Sequence, residues 1–198
     1  MKKYRFFILF CFCVIINTIS AQEAKQTTNM IEPIRFNIRG GIGGNYMVSF
    51  YQFGVATNIG GYAEIPLSKK YNNWKFSPGM RFTNKNIGLD NNNVSLLFID
   101  FPFLFSYDFH LSQNNKFRIE IGPYYSQYIG GGIFKNKINI ANPFRNVYNS
   151  PCNIGLIIGA GIYYGDFYMG CNFEYLWDYI NYESDFLLSL TTTIGYRF

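Results

Sequence analysis

The last fourteen residues, DFLLSLTTTIGYRF, alternate at every second position. Counting back from the end, Phe198, Tyr196, Ile194, Thr192, Leu190, Leu188 and Phe186 make one largely apolar row. Arg197, Gly195, Thr193, Thr191 and Ser189 make a second row of small or polar side chains. Period two with unlike rows is the pattern of a β-strand with unlike faces. The bulky row is the apolar one and the sequence closes on an aromatic residue. Such a strand suits an apolar medium on its broad face and a narrow polar space on the other.

The same alternation recurs at 34–46, 54–67, 74–83, 94–108, 116–129, 152–164 and 167–178. In the first stretch Phe36, Ile38, Ile42 and Tyr46 oppose Asn37, Arg39, Gly41, Gly43 and Asn45. In the fourth, Leu97, Ile99, Phe101, Phe103, Phe105 and Tyr107 oppose Asp100, Ser106 and Asp108, with Phe98 and Leu104 blurring the second face. The sequence Gly41-Ile42-Gly43-Gly44 opens into more alternation and no helix, which argues against a phosphate-binding loop. About ten residues suffice for a tilted strand to cross a bilayer. The expected fold is therefore all-β, an eight-stranded antiparallel up-and-down transmembrane β-barrel.

An even number of strands returns the chain to its starting side. The connections 47–53, 84–93, 130–151 and 179–184 are expected outside the cell, and the turns 68–73, 110–115 and 165–166 on the periplasmic side. Pro78, Pro102 and Pro123 fall within these strands and each removes a ladder donor, so a bulge or a strand end is expected near each.

Composition narrows the alternatives. With 48% hydrophobic and 15% charged residues the chain is too apolar for disorder. Its 20% aromatic content exceeds the needs of a soluble core of this size and suits the two interfacial girdles of a membrane barrel. A lipocalin-like soluble carrier of an apolar ligand is the competing reading. It would turn the apolar rows inward and the charged rows outward.

Residues 1–21 read as a secretory signal peptide: Lys2, Lys3 and Arg5, an apolar run over 6–16, and cleavage near Ala21. Residues 22–33 form a polar periplasmic lead-in and 34–198 the barrel domain. Cys11 and Cys13 leave with the leader; Cys152 and Cys171 are expected about seven residues out of register on neighbouring strands, as free thiols facing lipid. Processing leaves fourteen basic against twelve acidic residues, a net charge of +2. That balance gives no ground for a nucleic-acid partner.

The terminal strand, ending Tyr196-Arg197-Phe198, resembles the assembly signal of bacterial outer-membrane barrels, which makes Tyr196 and Phe198 its carriers and the barrel assembly machinery a partner. Five pieces, the closing one included, occur in order: Gly60-Gly61-Tyr62-Ala63-Glu64-Ile65-Pro66-Leu67, Ile99-Asp100-Phe101-Pro102, Gly122-Pro123-Tyr124-Tyr125, Gly159-Ala160-Gly161-Ile162-Tyr163-Tyr164 and Gly195-Tyr196-Arg197-Phe198. With them the chain resembles the PorT-like small outer-membrane β-barrels of Gram-negative bacteria. The resemblance implies the cell outer membrane as location. It also implies, for a few members, an accessory part in protein secretion or gliding machinery. It brings no catalytic residues.

The inward rows carry Arg39, Lys75, Arg81, Arg118 and Arg197 together with Glu64, Asp100, Glu120, Glu174 and Asp178. An eight-stranded interior is just filled by side chains, so a pairing network that plugs the lumen is expected, and no general pore. His110, the single histidine, falls in a predicted periplasmic turn, away from the outer rim where enzymes on this scaffold place their base. No His, Cys and carboxylate cluster has metal-ligand spacing. The expectation is a non-enzyme without cofactor or metal, acting in structure or recognition beside outer-membrane lipid and lipopolysaccharide, with a protein partner unidentified. The candidate contact surface is the connection 130–151, where Phe134, Phe144 and Tyr148 interleave with Lys135, Lys137 and Arg145 and no acidic residue occurs.

Overall fold

A computed structural model describes residues 33–48, 51–67, 73–89, 92–112, 114–135, 138–141, 152–180 and 183–198. The residues assigned to the leader and most of the lead-in lie outside that set. The described strands are β1 (Arg35–Met47), β2 (Gln52–Pro66), β3 (Trp74–Leu89), β4 (Asn92–His110), β5 (Asn115–Lys135), a short β6 (Ile138–Ala141), β7 (Cys152–Tyr164), β8 (Phe167–Ile180) and β9 (Glu183–Arg197). Each of the eight long strands pairs antiparallel with its neighbours, β5 with β7 across the β6 excursion. Pairing of β9 with β1 and of β4 with β5 closes the wall. The structure is a closed eight-stranded antiparallel barrel.

The alternation sets the facing. Ile38, Ile42, Ile59, Met80, Phe82, Ile121, Ile158 and Ile194 stand exposed on the outside, while Arg39, Glu64, Arg81, Asp100, Arg118, Glu120 and Glu174 are buried inside. A water-soluble carrier would show the reverse. On β3 the outward apolar row runs from Trp74 to Phe82, and eight residue steps at about 3.4 Å and a tilt near 40° give roughly 21 Å of belt. Aromatic contacts mark both edges. At the end carrying Arg35 and Arg197, Trp74 meets Tyr107 at 4.9 Å and Phe167 meets Tyr196 at 5.1 Å between ring centroids. At the other end Tyr46 meets Phe53 at 4.6 Å and Tyr175 meets Phe186 at 5.2 Å.

Two long connections expected from the sequence are shorter than the pattern suggests. Most of 84–93 is strand, since β3 continues to Leu89 and β4 begins at Asn92. Likewise β5 continues through Lys135 and β6 follows, so 130–151 is not one loop. The physical reason lies in the outward row, which turns polar at Asn84, Asn86 and Ser95 where the wall rises above the apolar belt. A water-facing strand face has the composition of a loop. Inside, the same stretch becomes apolar: Met47, Ile87, Val94, Leu96, Phe98, Tyr128, Leu176 and Leu187 are buried in one cluster. The narrow polar lumen expected from the sequence thus holds only for the belt; above it the outward row of β3 turns polar and the inward side apolar, while Phe53, Val55 and Leu97 stay exposed at the same level.

The prolines do not break the strands. Rungs are missing beside Pro78, Pro102 and Pro123, yet the pairs flanking each gap keep one offset, as Pro78↔Phe103 and Arg81↔Asp100 do on β3 and β4. The register shift between β4 and β5 falls elsewhere, between Leu97 and Phe98. Just beyond it Gly131 has φ 149°. A Cβ there would lie 2.0 Å from the Ser95 carbonyl oxygen.

Cys171 is exposed on the outer face, and it pairs with Ala160, eight residues along β7 from the partly buried Cys152, whose thiol hydrogen-bonds Tyr125 and Gln127. No helix among the described residues is long and apolar enough to cross a membrane.

Candidate functional site

The strands bring the inward charges into two networks. Nearer the end that carries Arg35 and Arg197, Glu64 on β2 is the hub. It accepts from Arg118 Nη1, from Asn37 Nδ2 at 2.6 Å and from the Tyr163 hydroxyl at 2.7 Å. Lys75 Nζ stands 3.8 Å from its other oxygen and Arg197 Nη1 4.0 Å. Arg118 also grips Asp108 through Nε at 2.6 Å and Nη2 at 2.9 Å, a two-pronged contact. Arg39 Nη1 donates to both oxygens of Glu120, at 2.7 and 2.9 Å.

The second network lies towards the apolar cluster. Arg81 donates from Nε to Asp100 at 2.9 Å and from Nη1 and Nη2 to the two oxygens of Glu174, at 2.6 and 2.8 Å. Thr83 and Ser126 each donate to Asp100 at 2.6 Å, and Lys85 Nζ lies 3.8 Å from Glu174.

Inward tyrosines separate and cover these groups. The Tyr163 ring has Arg118 and Arg197 each 4.7 Å from its centroid, and Arg39 lies 4.3 Å from that of Tyr168. Glycines on neighbouring strands receive the rings. A Cβ at Gly155 would meet Tyr124 at 2.3 Å, and one at Gly79 would meet Tyr62 at 2.5 Å.

Buried ion pairs of this kind contribute little net stability, but removal of one partner is costly because the other charge stays out of water. In the network around Glu64, Arg39, Lys75, Arg118 and Arg197 face Glu64, Asp108 and Glu120. Asp166 at the rim supplies the remaining negative charge, accepting from Arg197 Nη2 at 3.2 Å. The arrangement fills space and neutralises itself. Every lumen carboxylate in it is engaged by a guanidinium.

Arg39, Glu64, Lys75, Arg81, Asp100, Arg118, Glu120, Glu174 and Arg197 are thus buried together inside the barrel. The side chain of Asp178 lies outside the described residues. Lys85, Asp108 and Tyr163 belong to the networks and were not among the candidates. Their parity places each in an inward row: Lys85 continues the row of Arg81 and Thr83, and Tyr163 that of Gly159 and Gly161. Phe134 and Lys135 lie on β5 with side chains outside the described set, and Lys137, Phe144, Arg145 and Tyr148 fall outside the described residues altogether. Tyr196 and Phe198 stand on the outer face with rings 5.1 Å apart. His110 ends β4, exposed, two residues beyond the network carboxylate Asp108 on the same strand. Among the described residues no three His, Cys or carboxylate groups are placed to hold a metal ion.

The fold is shared with solved barrels. Neisserial surface protein A superposes with a TM-score of 0.55 at 12% identity, over 83% of this chain and 97% of that one. The outer membrane enzyme PagL does so with 0.54 at 14%, over 81% and 98%. At these identities the likeness is one of fold. No curated protein sequence matches the chain. A family model described as outer membrane protein beta-barrel domain matches residues 20–195, and with the closed wall and outward apolar belt already in view, the chain belongs to that family of outer-membrane barrels.

Proposed function

We propose that this protein is a recognition or docking barrel of the outer membrane, acting through the wall that projects beyond the apolar belt, and is not a general pore. One observation carries the reading: above Phe82 the outward row of β3 turns to Asn84 and Asn86 and that of β4, beyond Leu97, to Ser95 and Asn93, while Ile87, Val94 and Leu96 are buried within. That is how a sheet is built for water, so this end stands outside the bilayer as a firm platform. The filled interior below argues for a role at the surface and against passage. A non-enzymatic role is supported by the engagement of the lumen carboxylates by guanidinium groups. In this reading residues 1–21 are removed, 22–33 lead in from the periplasm, and 34–198 form the barrel of a PorT-like protein in a Gram-negative envelope.

Orientation is tested by single cysteines in a background lacking Cys152 and Cys171. Asn86→Cys should react with an impermeant maleimide on intact cells, and Asn114→Cys only after permeabilisation. The reverse pattern would invert the barrel. Docking is tested by replacing residues 87–94 with Asn-Gly, which closes a two-residue hairpin between the paired Asn86 and Ser95. The shortened protein should remain a folded barrel and lose the surface interactions of the parent; cells that behave alike in every adhesion and partner-retention assay would sink the proposal.

A further inference from the structure

Two recesses meet at the end that carries Arg35 and Arg197. One is an apolar groove of about 800 Å³ on the outer wall, running over Ile38, Ile162, Met169 and Ile194 with Gly40 and Gly195 at its floor. The other is a polar pocket of about 600 Å³ between two turns, formed by Ser112, Asn114, Asn115, Gly165 and Asp166. Tyr164, Phe167 and Tyr196 line both, so the two adjoin. The groove lies in the belt and the pocket at its edge. An occupant of both must be apolar along its length and polar at one end.

Charge at the pocket narrows the headgroup. The Asp166 carboxylate is half exposed, and its contacts with Arg197 Nε at 3.3 Å, Arg197 Nη2 at 3.2 Å and Arg35 Nη1 at 3.7 Å all fall on Oδ1. Oδ2 accepts no hydrogen bond among the described residues, so the half-exposed carboxylate keeps acceptor capacity beside the pocket it lines. A guanidinium, that of Arg35, stands beside it. A carboxylate oxygen next to a guanidinium matches a headgroup with an ammonium linked to a phosphate.

We propose that the groove and pocket together form a site for one phospholipid of the periplasmic leaflet with an ethanolamine-type headgroup. The acyl chain lies along Met169, Ile194 and Ile38, the ammonium donates to Asp166 Oδ2, and the phosphate faces Arg35. The site rests on the membrane orientation proposed above, and it requires only that this end of the barrel meet the leaflet that contains phospholipid.

Native mass spectrometry of the processed protein, mixed with equal amounts of phosphatidylethanolamine, phosphatidylglycerol and phosphatidylcholine, tests it. The parent should retain one phosphatidylethanolamine about tenfold over phosphatidylglycerol, the scale of one charge-assisted hydrogen bond. Asp166→Asn should bring the two to parity, and Gly40→Phe, which fills the groove, should lower retention of all three lipids. Equal retention by the parent, an unchanged preference in Asp166→Asn, or undiminished binding in Gly40→Phe would each overturn the site. If a variant does not assemble, the parent's own preference decides. A parent that is not a heat-modifiable membrane barrel would instead overturn the membrane reading.

Discussion

The Tyr163 hydroxyl donates to Glu64 Oε1 at 2.7 Å, joining residues 99 apart in sequence from β7 and β2. The same oxygen of Tyr163 accepts from Arg118 at 3.3 Å and Arg39 at 3.4 Å. A single phenol thereby links the two guanidinium centres through the carboxylate between them.

Glu64→Gln removes the hub charge while keeping its shape, and leaves Arg118, Arg39 and Lys75 short of a counter-charge. It should cost about 3–5 kcal/mol, the range for breaking one partner of a buried pair. Tyr163→Phe retains the ring beneath Arg118 and Arg197 and should cost about 2 kcal/mol, since it removes only bonds to charged groups. Urea unfolding from lipid bilayers, followed by the shift between folded and unfolded migration, measures both; equal costs would mean that the carboxylate is not the hub.

Gly161 and Tyr168 are coupled by close approach. A Cβ at Gly161 would lie 2.6 Å from three atoms of the Tyr168 ring and phenol. Gly161→Ala should therefore destabilise the parent by about 1–3 kcal/mol through overpacking. In a Tyr168→Ser background the same change should cost far less. A double-mutant cycle with no interaction energy would show that the ring does not occupy that space.

The lumen carries two independent obstructions, the charge networks and the apolar cluster above them. Planar bilayers containing the parent should show no steady conductance. The Arg81→Ala, Glu174→Ala pair should also stay closed, because Ile87, Leu96, Phe98 and Leu176 seal the interior beyond it. Stable openings in the double variant alone would assign the whole seal to the ions.

Phe198 is tied to the wall through its backbone, its N–H donating to the Phe36 carbonyl oxygen at 2.7 Å, while its side chain stays exposed on the outer face. Phe198→Asp keeps that backbone bond. It should lower the amount of folded barrel recovered from outer membranes in cells while leaving refolding of the purified chain in detergent largely intact. Equal loss in both settings would mean that the side chain acts in stability and carries no assembly signal.

Facing was legible in the sequence because period two leaves only two choices per strand, and one inward residue such as Arg39 or Glu174 fixes the whole row. Strand ends were not, because Asn84, Asn86 and Ser95 carry water-facing polarity that also describes loops. Pairing partners were hidden for a different reason. Arg39 and Glu120 lie 81 residues apart, and Arg81 and Glu174 93 apart. Which inward charge meets which depends on the stagger of strands around the whole cylinder, a quantity that local alternation does not contain. Tyr163 was obscured by its neighbour Tyr164, since two adjacent tyrosines give no contrast between faces.

A cylinder obeys a condition that a flat sheet does not: stepping sideways from strand to strand around the circumference, the accumulated stagger must come back to one fixed value. A bulge at Pro78, Pro102 or Pro123 would alter that total and demand an opposite slip on some other hairpin. Missing rungs alter nothing in it. These prolines therefore remove hydrogen bonds without touching the diameter or tilt, and each position is free to vary without a matching change elsewhere. The slip between Leu97 and Phe98 escapes the condition in another way. It sits opposite Tyr128 and Gly130, just past Gln127, where among the described residues β5 last pairs with β7. Beyond that level β5 pairs with β4 and β6, so the wall can change its count and bend at Gly131.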